Sequence, residues 1–588
     1  MDSKHVTEST SGQEDIQKTW WKEAIIYQIY PRSFQDSDDD GIGDLNGITS
    51  RLDYIQSLGV DIIWLNPIFL SPNDDNGYDI SDYREIMREF GTMEDFDRLL
   101  KEIHKREMRL VLDLVVNHTS DKHPWFEEAR KSRHNPYYNY YHWWPAEKGE
   151  PPLRLSYFDE EGNAWMYNKP TDSYYLHYFS RKQPDLNWEN PEVRQEIFDM
   201  MRFWFDKGID GFRMDSISLI AKDPSFPLID SKKYPDIFSF YAKEPRLHLY
   251  LHEMNRQVLS KYDCMSVGEG SAVMVDDVAK FVDPAREELN MLYHFDAARI
   301  RNTTLPDNPE SGIDYSLIAL KKMFTEWDKA VDKGWPSIYL GNHDQPRMVS
   351  RFGSDKDEFR ALSTKMLITF LLTMRGTPYW FAGDEIGMRN IRFDRIEDYN
   401  DIDTINRYKK AKAEGKDPQA VLDEQKETGR DNARTPFQWD RSPEAGFTAG
   451  TPWLKVNPDY TWINVADEEK DPTSILNYFK KVVSFRKENP SLIYGSYHLL
   501  DAENPQSYTF LRKTGADTYL IMLNFSPKAA ISTPGIDMSN AHVLLDNYGD
   551  RSHMAPQKDI TLRPFEAIVF QLNHPVYESF IDSLDLLE

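Results

Sequence analysis

The chain has 588 residues and a mass of 69.0 kDa, which is enough for a large catalytic domain with smaller domains attached. Its 70 Lys and Arg against 97 Asp and Glu give a formal charge of −27, which repels nucleic acid phosphates and anionic membrane surfaces. It has one cysteine, a polar start without the apolar segment of a signal peptide and no apolar run of the roughly 20 residues that cross a membrane. We therefore expect a cytoplasmic monomer or weak homo-oligomer that binds neither nucleic acid nor membrane.

Short apolar segments recur along the chain and are predicted to be strands. They are Ala24–Tyr30, Asp61–Pro67, Arg109–His118, Gly208–Ile217, Cys264–Glu269, Leu292–Phe295, Ser337–Leu340 and Thr377–Ala382. Helical periodicity lies between several of them, as in Pro191–Lys207, where apolar residues recur every three or four positions and Gly208 follows as a stop. Eight apolar strands alternating with helices favour an α/β fold, a closed (β/α)8 TIM barrel. The alternative is an open doubly wound sheet, but the chain lacks the glycine-rich nucleotide motifs.

Two regions depart from this alternation. Residues 119–183 are too many for an ordinary loop and contain the aromatic run Tyr137–Trp144, so we predict an inserted subdomain after the third strand. After about Pro490, alternating strands and turns are typical of an antiparallel sheet. The predicted domains are therefore residues 1–118 and 184–490 for the barrel, 119–183 for the insertion and 491–588 for a C-terminal β-sandwich.

An acidic loop follows the first predicted strand. Asp36, Asp38, Asp40 and Asp44 alternate there and supply the oxygen ligands that Ca²⁺ or Mg²⁺ prefers. Gly47 stands where an EF-hand loop has its bidentate Glu, so that loop type is excluded. A structural cation and a solvated acidic turn both remain open on this pattern.

Polar residues cluster where four predicted strands end. They are Asn117 and His118, Arg213 and Asp215, Glu269, and the run from Asn342 through His343 to Asp344. In a barrel the carboxyl ends of the strands share one rim, which carries the catalytic residues. This pattern predicts an active site on that rim.

Asp215 and Glu269 form the central pair of this predicted site. Neighbouring strands lie about 4.8 Å apart, so the two carboxyl groups can reach the roughly 5–5.5 Å separation of retaining glycoside hydrolysis. Arg213 points to the same side of the strand as Asp215 and would keep it ionised. Apolar surroundings and the nearby negative charge would raise the pKa of Glu269 and suit it to act as an acid. The alternative is a structural Arg–Asp pair inside the barrel.

The same segments resemble a known family. Asp113–His118 (DLVVNH), Gly211–Asp215 (GFRMD), Gly268-Glu269 and Asn342–Asp344 (NHD) resemble, in order, the four signature regions of the α-amylase superfamily. Trp20–Phe34, Ser71–Tyr83, Gln183–Trp188 and Ala433–Trp439 resemble its oligo-1,6-glucosidase and α-glucosidase branch, to which sucrose isomerases are related. The similarity runs from about Thr19 into the C-terminal domain.

This resemblance implies a role for each residue of the site. Asp215 would be the nucleophile, Glu269 the general acid/base, and Asp344 the carboxylate that stabilises the transition state. The implied substrate-binding residues are Asp75, Tyr78, His118, Phe179, Gln183, Arg213, His343 and Arg434. Among them, His118 and His343 would donate hydrogen bonds to the sugar, and Asp75 would pair with Arg434 to close the pocket beyond one glucose. No catalytic cofactor is implied, but a structural cation is favoured, with the Ile42 carbonyl as a further ligand.

The resemblance also implies the class of substrate, which is a small oligosaccharide. We expect a retaining, exo-acting α-glucosidase for isomaltose, isomalto-oligosaccharides and isomaltulose, with maltose and sucrose as further candidates. Ser216 replaces the Val of 1,6-acting relatives and the Ala of 1,4-acting ones, whereas the segment Gln183–Asn187 resembles the 1,6-acting group. A sucrose isomerase or glucosyltransferase would use the same intermediate, but Phe295–Asn302 lacks the arginine-rich isomerase motif. A non-enzymatic barrel of the amino-acid-transporter heavy-chain type would lack the three carboxylates.

Overall fold

The computed structural model describes residues 18–158, 163–230, 232, 240, 242, 244–515, 517–552 and 558–572. Its central sheet has eight parallel strands in the spatial order β6-β5-β4-β3-β2-β1-β8-β7. In chain order they are β1 (Ile26–Ile29), β2 (Ile62–Leu65), β3 (Arg109–Val115), β4 (Gly211–Asp215), β5 (Met265–Glu269), β6 (Met291–Tyr293), β7 (Ser337–Ile338) and β8 (Thr377–Phe381). Each lies within or next to a predicted strand.

Side chains join the two ends of this sheet. The Ser337 hydroxyl on β7 donates a 2.9 Å hydrogen bond to the carbonyl of Leu292 on β6. The Tyr339 hydroxyl donates another of 2.5 Å to the carbonyl of His294. These bonds bring β6 and β7 together and leave a nearly closed barrel, so the predicted (β/α)8 fold is confirmed.

Helices cover the outside of the barrel. The longest, Pro191–Lys207, has the predicted bounds, is capped by the Asn190 side chain, and ends at Gly208 with a φ of 109°, which glycine adopts without strain. Among the described residues the other helices, not all of which lie on the outer surface of the barrel, are Trp20–Glu23, Leu45–Ser50, Leu52–Ser57, Met93–Lys105, Pro124–Ala129, Arg246–Gln257, Ala279–Val282, Asp296–Thr303, Leu317–Ala330, Met348–Phe352, Arg360–Thr373, Ile402–Ala413, Pro418–Thr428, Asp431–Arg434, Val465–Glu468, Ile475–Glu488 and Ser491–Tyr494. Among the described residues, no helix has the length and apolar character needed to cross a membrane.

In the part of the chain that the structure describes, four smaller sheets accompany the barrel. Trp143–Pro145, Ser173–Leu176 and Trp165–Asn168 form an antiparallel sheet, in that order, within the predicted insertion, and Phe69–Leu70 pairs with Asp82–Ile86. Near the C-terminus, Ser496–Leu500, Ser507–Thr514, Asp517–Asn524, Ala567–Leu572 and His542–Asp546 form a five-stranded antiparallel sheet, beside the pair Ala530–Ser532 and Ile560–Leu562. The domain boundaries given above stay a prediction.

Candidate active site

A cavity opens at the carboxyl ends of the barrel strands. Its volume is about 280 Å³, close to the lower end of the roughly 300–1,000 Å³ range of small-molecule pockets. Its wall contains Asp75, Tyr78, His118, Tyr157, Phe158, Phe179, Asp215, Ser216, Glu269, Ser271, Ala272, Phe295, Ala298, Arg299, Asp344, Gln345 and Arg430. The three predicted catalytic carboxylates thus share one cavity.

Arg213 holds two of these carboxylates from below the cavity. Its Nη1 lies 2.7 Å from Asp215 Oδ1 and 2.7 Å from Asp113 Oδ1, and its Nη2 lies 3.2 Å from Glu269 Oε1. The guanidinium is 1% exposed, so water screens these contacts little. Since one guanidinium contacts both Asp215 and Glu269, the two carboxyl groups are close neighbours.

The surroundings give Asp215 and Glu269 different acidities. Burial raises the pKa of Asp215 to about 6, although the charge of Arg213 and hydrogen bonds from Arg213 and Glu269 favour its ionised form. Burial raises the pKa of Glu269 further, to about 8. The charge of Arg213 opposes this increase, and the negative charges of Asp215 and Asp344 add to it. At neutral pH Asp215 is therefore ionised and Glu269 protonated, as a nucleophile and an acid require.

Ser216, which follows Asp215, connects β4 to Glu269. It is in the left-handed conformation, with φ 43° and ψ 32°, where a side chain without β-branching is tolerated best. Its amide donates a 2.6 Å hydrogen bond to Glu269 Oε2. The turn holds the Glu269 carboxyl group in place and puts the Ser216 side chain on the cavity wall.

Asp344 is the third carboxylate and lies beside two arginines and one histidine. Arg434 Nη2 lies 2.8 Å from its Oδ1, Arg430 Nη1 3.2 Å from the same atom, and His343 Nε2 3.1 Å from its Oδ2. Burial opposes ionisation of Asp344, but His343, Arg430 and Arg434 outweigh it and lower the pKa of Asp344 well below its usual range. Asp344 therefore stays negative over the pH range in which Asp215 and Glu269 titrate.

The structure corrects the predicted pair at the closed end of the cavity. Asp75 Oδ1 lies 3.5 Å from Arg430 Nη2, whereas Arg434 pairs with Asp344 and donates from Nε to the His343 carbonyl. Arg430 reaches Asp75 because it precedes the short helix Asp431–Arg434 and lies nearer the cavity. Arg430 lies four residues, or about one helical turn, before Arg434, and this spacing could have identified it as a second candidate partner for Asp75.

Gln183, His118 and Phe179 form a chain of contacts beside Asp75. Gln183 Nε2 donates a 3.1 Å hydrogen bond to Asp75 Oδ2 and lies 3.2 Å from His118 Nε2. The His118 ring packs edge-on against Phe179, and burial lowers the pKa of His118 to about 3, so its ring is neutral. These contacts bring His118, Phe179 and Gln183 together, and their binding of substrate stays a prediction.

Tyr78 and His343 stack on each other, with ring centroids 5.4 Å apart. The Tyr78 hydroxyl lies 2.6 Å from His343 Nε2, and the Gln28 amide lies 2.8 Å from Nδ1 of the same ring. Tyr78 lines the cavity and His343 lies behind it. The predicted hydrogen bond from His343 to the sugar stays a prediction.

A larger polar chamber, of about 770 Å³, adjoins the cavity and was not predicted. The two share Tyr157, Ala298, Arg299, Asp344, Gln345 and Arg430. Its far wall includes Asp403, Arg407 and Glu424 from the two helices Ile402–Ala413 and Pro418–Thr428. Charged residues on solvated helices give no sequence signal for such a wall, because their usual place is the surface.

The acidic loop brings together three of its five predicted ligands. Carboxylate oxygens of Asp36, Asp38 and Asp40 lie within 4.8 Å of one another. The Asp44 carboxylate instead caps the helix Leu45–Ser50, accepting from the Gly47 amide at 2.7 Å. The amide of Ile42 donates to Asp40 at 2.8 Å. This oxygen-only donor set fits a hard divalent cation.

Comparisons with known proteins show the family to which the chain belongs. A sequence profile described as "Alpha amylase, catalytic domain" matches residues 28–495. The oligo-1,6-glucosidase of Parageobacillus thermoglucosidasius is 51% identical over 571 residues, which cover 95% of this chain and 100% of that protein. That of Bacillus cereus is 48% identical over 567 residues, covering 95% and 100%. The crystal structure of the isomaltulose synthase of Protaminobacter rubrum superposes with a TM-score of 0.89, at 42% identity, over 95% of this chain and all of that one.

Proposed function

We propose, from the premise that this chain belongs to the alpha-amylase family, that it is a retaining, exo-acting α-glucosidase. Its substrates would be short α-glucosides: isomaltose, isomalto-oligosaccharides and isomaltulose, with maltose and sucrose as further candidates. The observation that carries the proposal is the Asp215–Glu269 pair, since Arg213 contacts both carboxyl groups and their pKa values differ in the required direction.

Two steps through a covalent intermediate account for hydrolysis with retention. The Asp215 carboxylate attacks the anomeric carbon as Glu269 gives its proton to the departing glycosidic oxygen, leaving a β-glucosyl ester on Asp215. Glu269, now ionised, takes a proton from water as that water attacks the anomeric carbon and releases α-glucose and the Asp215 carboxylate. The permanently negative Asp344 would hold sugar hydroxyls through hydrogen bonds that strengthen as charge develops on the ring.

Exo action is supported by the closed end of the cavity. Asp75, 6% exposed, and Arg430 meet there, and Gln183 holds Asp75 from behind. Burial raises the pKa of Asp75 to about 7 although Arg430 and Arg434 favour its ionised form. A chain extending past the non-reducing glucose would have to displace this buried pair, which is costly. The enzyme should therefore remove one terminal glucose at a time.

A sucrose isomerase or glucosyltransferase is the second candidate, supported by the likeness to an isomaltulose synthase. The adjoining chamber could hold a sugar that captures the glucosyl intermediate in place of water. Of the two arginines near Phe295, Arg299 lines both the cavity and the chamber, and Arg301 lines the chamber, where it is paired with Asp314. Because Phe295–Asn302 lacks the arginine-rich isomerase motif, hydrolysis is the better-supported outcome.

We also propose that the acidic loop holds a structural Ca²⁺ or Mg²⁺. Asp36, Asp38 and Asp40 would be ligands, with the Ile42 carbonyl as a further one, and Asp44 would have to leave its helix cap to join them. Burial and the negative charges of Asp38, Asp36 and Asp44 raise the pKa of Asp40, and a cation would relieve that repulsion. The single cysteine, Cys264, is compatible with a reducing compartment, and we retain the cytoplasm as the proposed location.

Product analysis tests the proposed function. The enzyme is incubated separately with isomaltose, maltose, sucrose, isomaltulose, starch and dextran, with Asp215→Asn as the inactive control. Glucose as the first product from the small glucosides, and no maltotriose or larger fragments from the polymers, is expected. Isomaltulose or trehalulose accumulating from sucrose would favour the isomerase, and early large fragments would contradict exo action.

A further inference from the structure

Tyr293 lies directly beneath the catalytic pair. It ends β6 and is paired in register with Glu269, the end of β5. Its side chain is 3% exposed and packs edge-on against the rings of Phe295 and Tyr339. It does not line the cavity, so it contacts Arg213 from outside the substrate space.

The hydroxyl of Tyr293 accepts hydrogen bonds from Arg213. Arg213 Nε donates to it at 2.8 Å, and Arg213 Nη2 donates to the same oxygen. The two hydrogens of Nη1 go to Asp113 and Asp215, and the second hydrogen of Nη2 is left facing Glu269 at the longer distance of 3.2 Å. Tyr293 thus occupies the edge of the guanidinium that a bidentate pair with Glu269 would need.

We infer that Tyr293 is a positioning residue that keeps Arg213 bound to Asp215 and prevents a bidentate ion pair between Arg213 and Glu269. The inference rests on the proposed function, because it assigns Glu269 the role of a protonated acid. Without the phenol, the buried Nε–H of Arg213 loses its acceptor, a costly state in a dry site. Rotation of the Arg213 guanidinium toward Glu269 would give this N–H a new acceptor.

The consequence is a change in the acidity of Glu269. The charged and titratable groups that face Glu269 are Arg213, Asp215, Asp344, Tyr293 and Tyr339; Asp113 faces Arg213 from β3. Of these, only Arg213 is cationic. A closer Arg213 stabilises the ionised acid and lowers the pKa of Glu269. Glu269 would then be less protonated at neutral pH and a poorer proton donor.

The variant Tyr293→Phe tests this inference, because it removes the hydroxyl and keeps the ring packing. Tyr379→Phe is the matched control: Tyr379 also points into the barrel interior, and among the described residues its hydroxyl is hydrogen-bonded to the sulfur of Met291, at 4.0 Å, and not to Arg213. The protonated carboxyl band of Glu269 is followed by infrared spectroscopy against pH in each full-length protein and assigned by difference from Glu269→Gln. This readout needs no turnover.

We expect the Glu269 band of Tyr293→Phe to titrate about half a pH unit or more below the parent, and that of Tyr379→Phe to match the parent. In steady-state kinetics, kcat for isomaltose should fall roughly ten-fold, KM should change little, and an aryl α-glucoside with an acidic phenol should lose less. An unchanged titration in Tyr293→Phe would overturn the inference. A parent enzyme that hydrolyses neither glucoside would instead refute the proposed function, and the titration would still decide the role of Tyr293.

Discussion

The backbone amide of Ser216 donates a 2.6 Å hydrogen bond to Oε2 of Glu269. This bond joins the residue after the proposed nucleophile to the proposed acid on the neighbouring strand, and it requires the left-handed turn at Ser216. The Ser216 hydroxyl lies 3.4 Å from the same oxygen and lines the cavity. The side chain at this position therefore touches both the acid and the space that the leaving sugar would occupy.

Replacing the Ser216 side chain is expected to change the linkage preference. Ser216→Val adds apolar bulk on the aglycone side, and such a contact is worth about 1–3 kcal/mol of discrimination. We expect the ratio of isomaltose to maltose kcat/KM to rise roughly ten-fold in Ser216→Val and to fall in Ser216→Ala. Ratios are compared because a β-branched residue is strained at positive φ and would lower both rates. Equal ratios in the parent and both variants would place specificity elsewhere, in the residues after Glu269 or around Phe179 and Gln183.

The pH dependence of kcat/KM should be bell-shaped. Activity requires ionised Asp215, so it should fall as the pH drops below about 6, the raised pKa of that carboxyl. It also requires protonated Glu269, so it should fall as the pH rises above about 8, the raised pKa of the acid. Because Asp215 and Glu269 interact, the two apparent pKa values of this profile belong to the pair and not to either residue alone. Retention of the basic limb in Glu269→Gln, which has no titrating acid, would contradict the assignment.

Removing Arg430 should weaken substrate binding. In Arg430→Gln, Asp75 and Asp344 lose a buried counter-charge, and we expect KM for isomaltose to rise about ten-fold or more. The control is Arg441→Gln, which removes an arginine whose side chain is 68% exposed and paired with Asp467 at the surface, a contact worth about 0–1 kcal/mol. The same KM in Arg430→Gln and in the parent would show that the Asp75–Arg430 pair does not shape the glucose site.

A chelator should lower the melting temperature if the acidic loop holds a cation, because an ion that binds only the folded state stabilises it by mass action. We expect a shift of a few degrees with little change in kcat, since the loop does not line the active-site cavity. Asp38→Asn should abolish the response to chelator. Asp39→Asn, which alters an adjacent exposed residue outside the cluster, should retain it. An identical melting temperature with and without chelator would leave the loop as a solvated turn.

The sequence predicted the barrel because its evidence is local: apolar strands, helical periodicity and polar strand ends are each read from a few adjacent residues. The placement of Asp215, Glu269 and Asp344 in one cavity could be predicted as well, since the ends of parallel strands meet on one rim. The Asp75–Arg430 pair and the contact from Tyr293 to Arg213 were missed. Each joins residues 80 or more positions apart through side-chain placement, and neither has a motif. The chamber beside the cavity was missed because exposed-looking charges on two helices form its wall.

The most direct test of the account is to trap the covalent intermediate. The enzyme is treated with a 5-fluoro-α-glucosyl fluoride, whose good leaving group speeds glycosylation and whose ring fluorine slows release, and the digested protein is analysed by mass spectrometry. If Asp215 is the nucleophile, one fluoroglucosyl group will be esterified to the peptide that contains Asp215, and Asp215→Asn will remain unlabelled. A label on any other residue would contradict the proposed nucleophile. Turnover that releases the β-anomer first, with no label, would contradict the retaining mechanism.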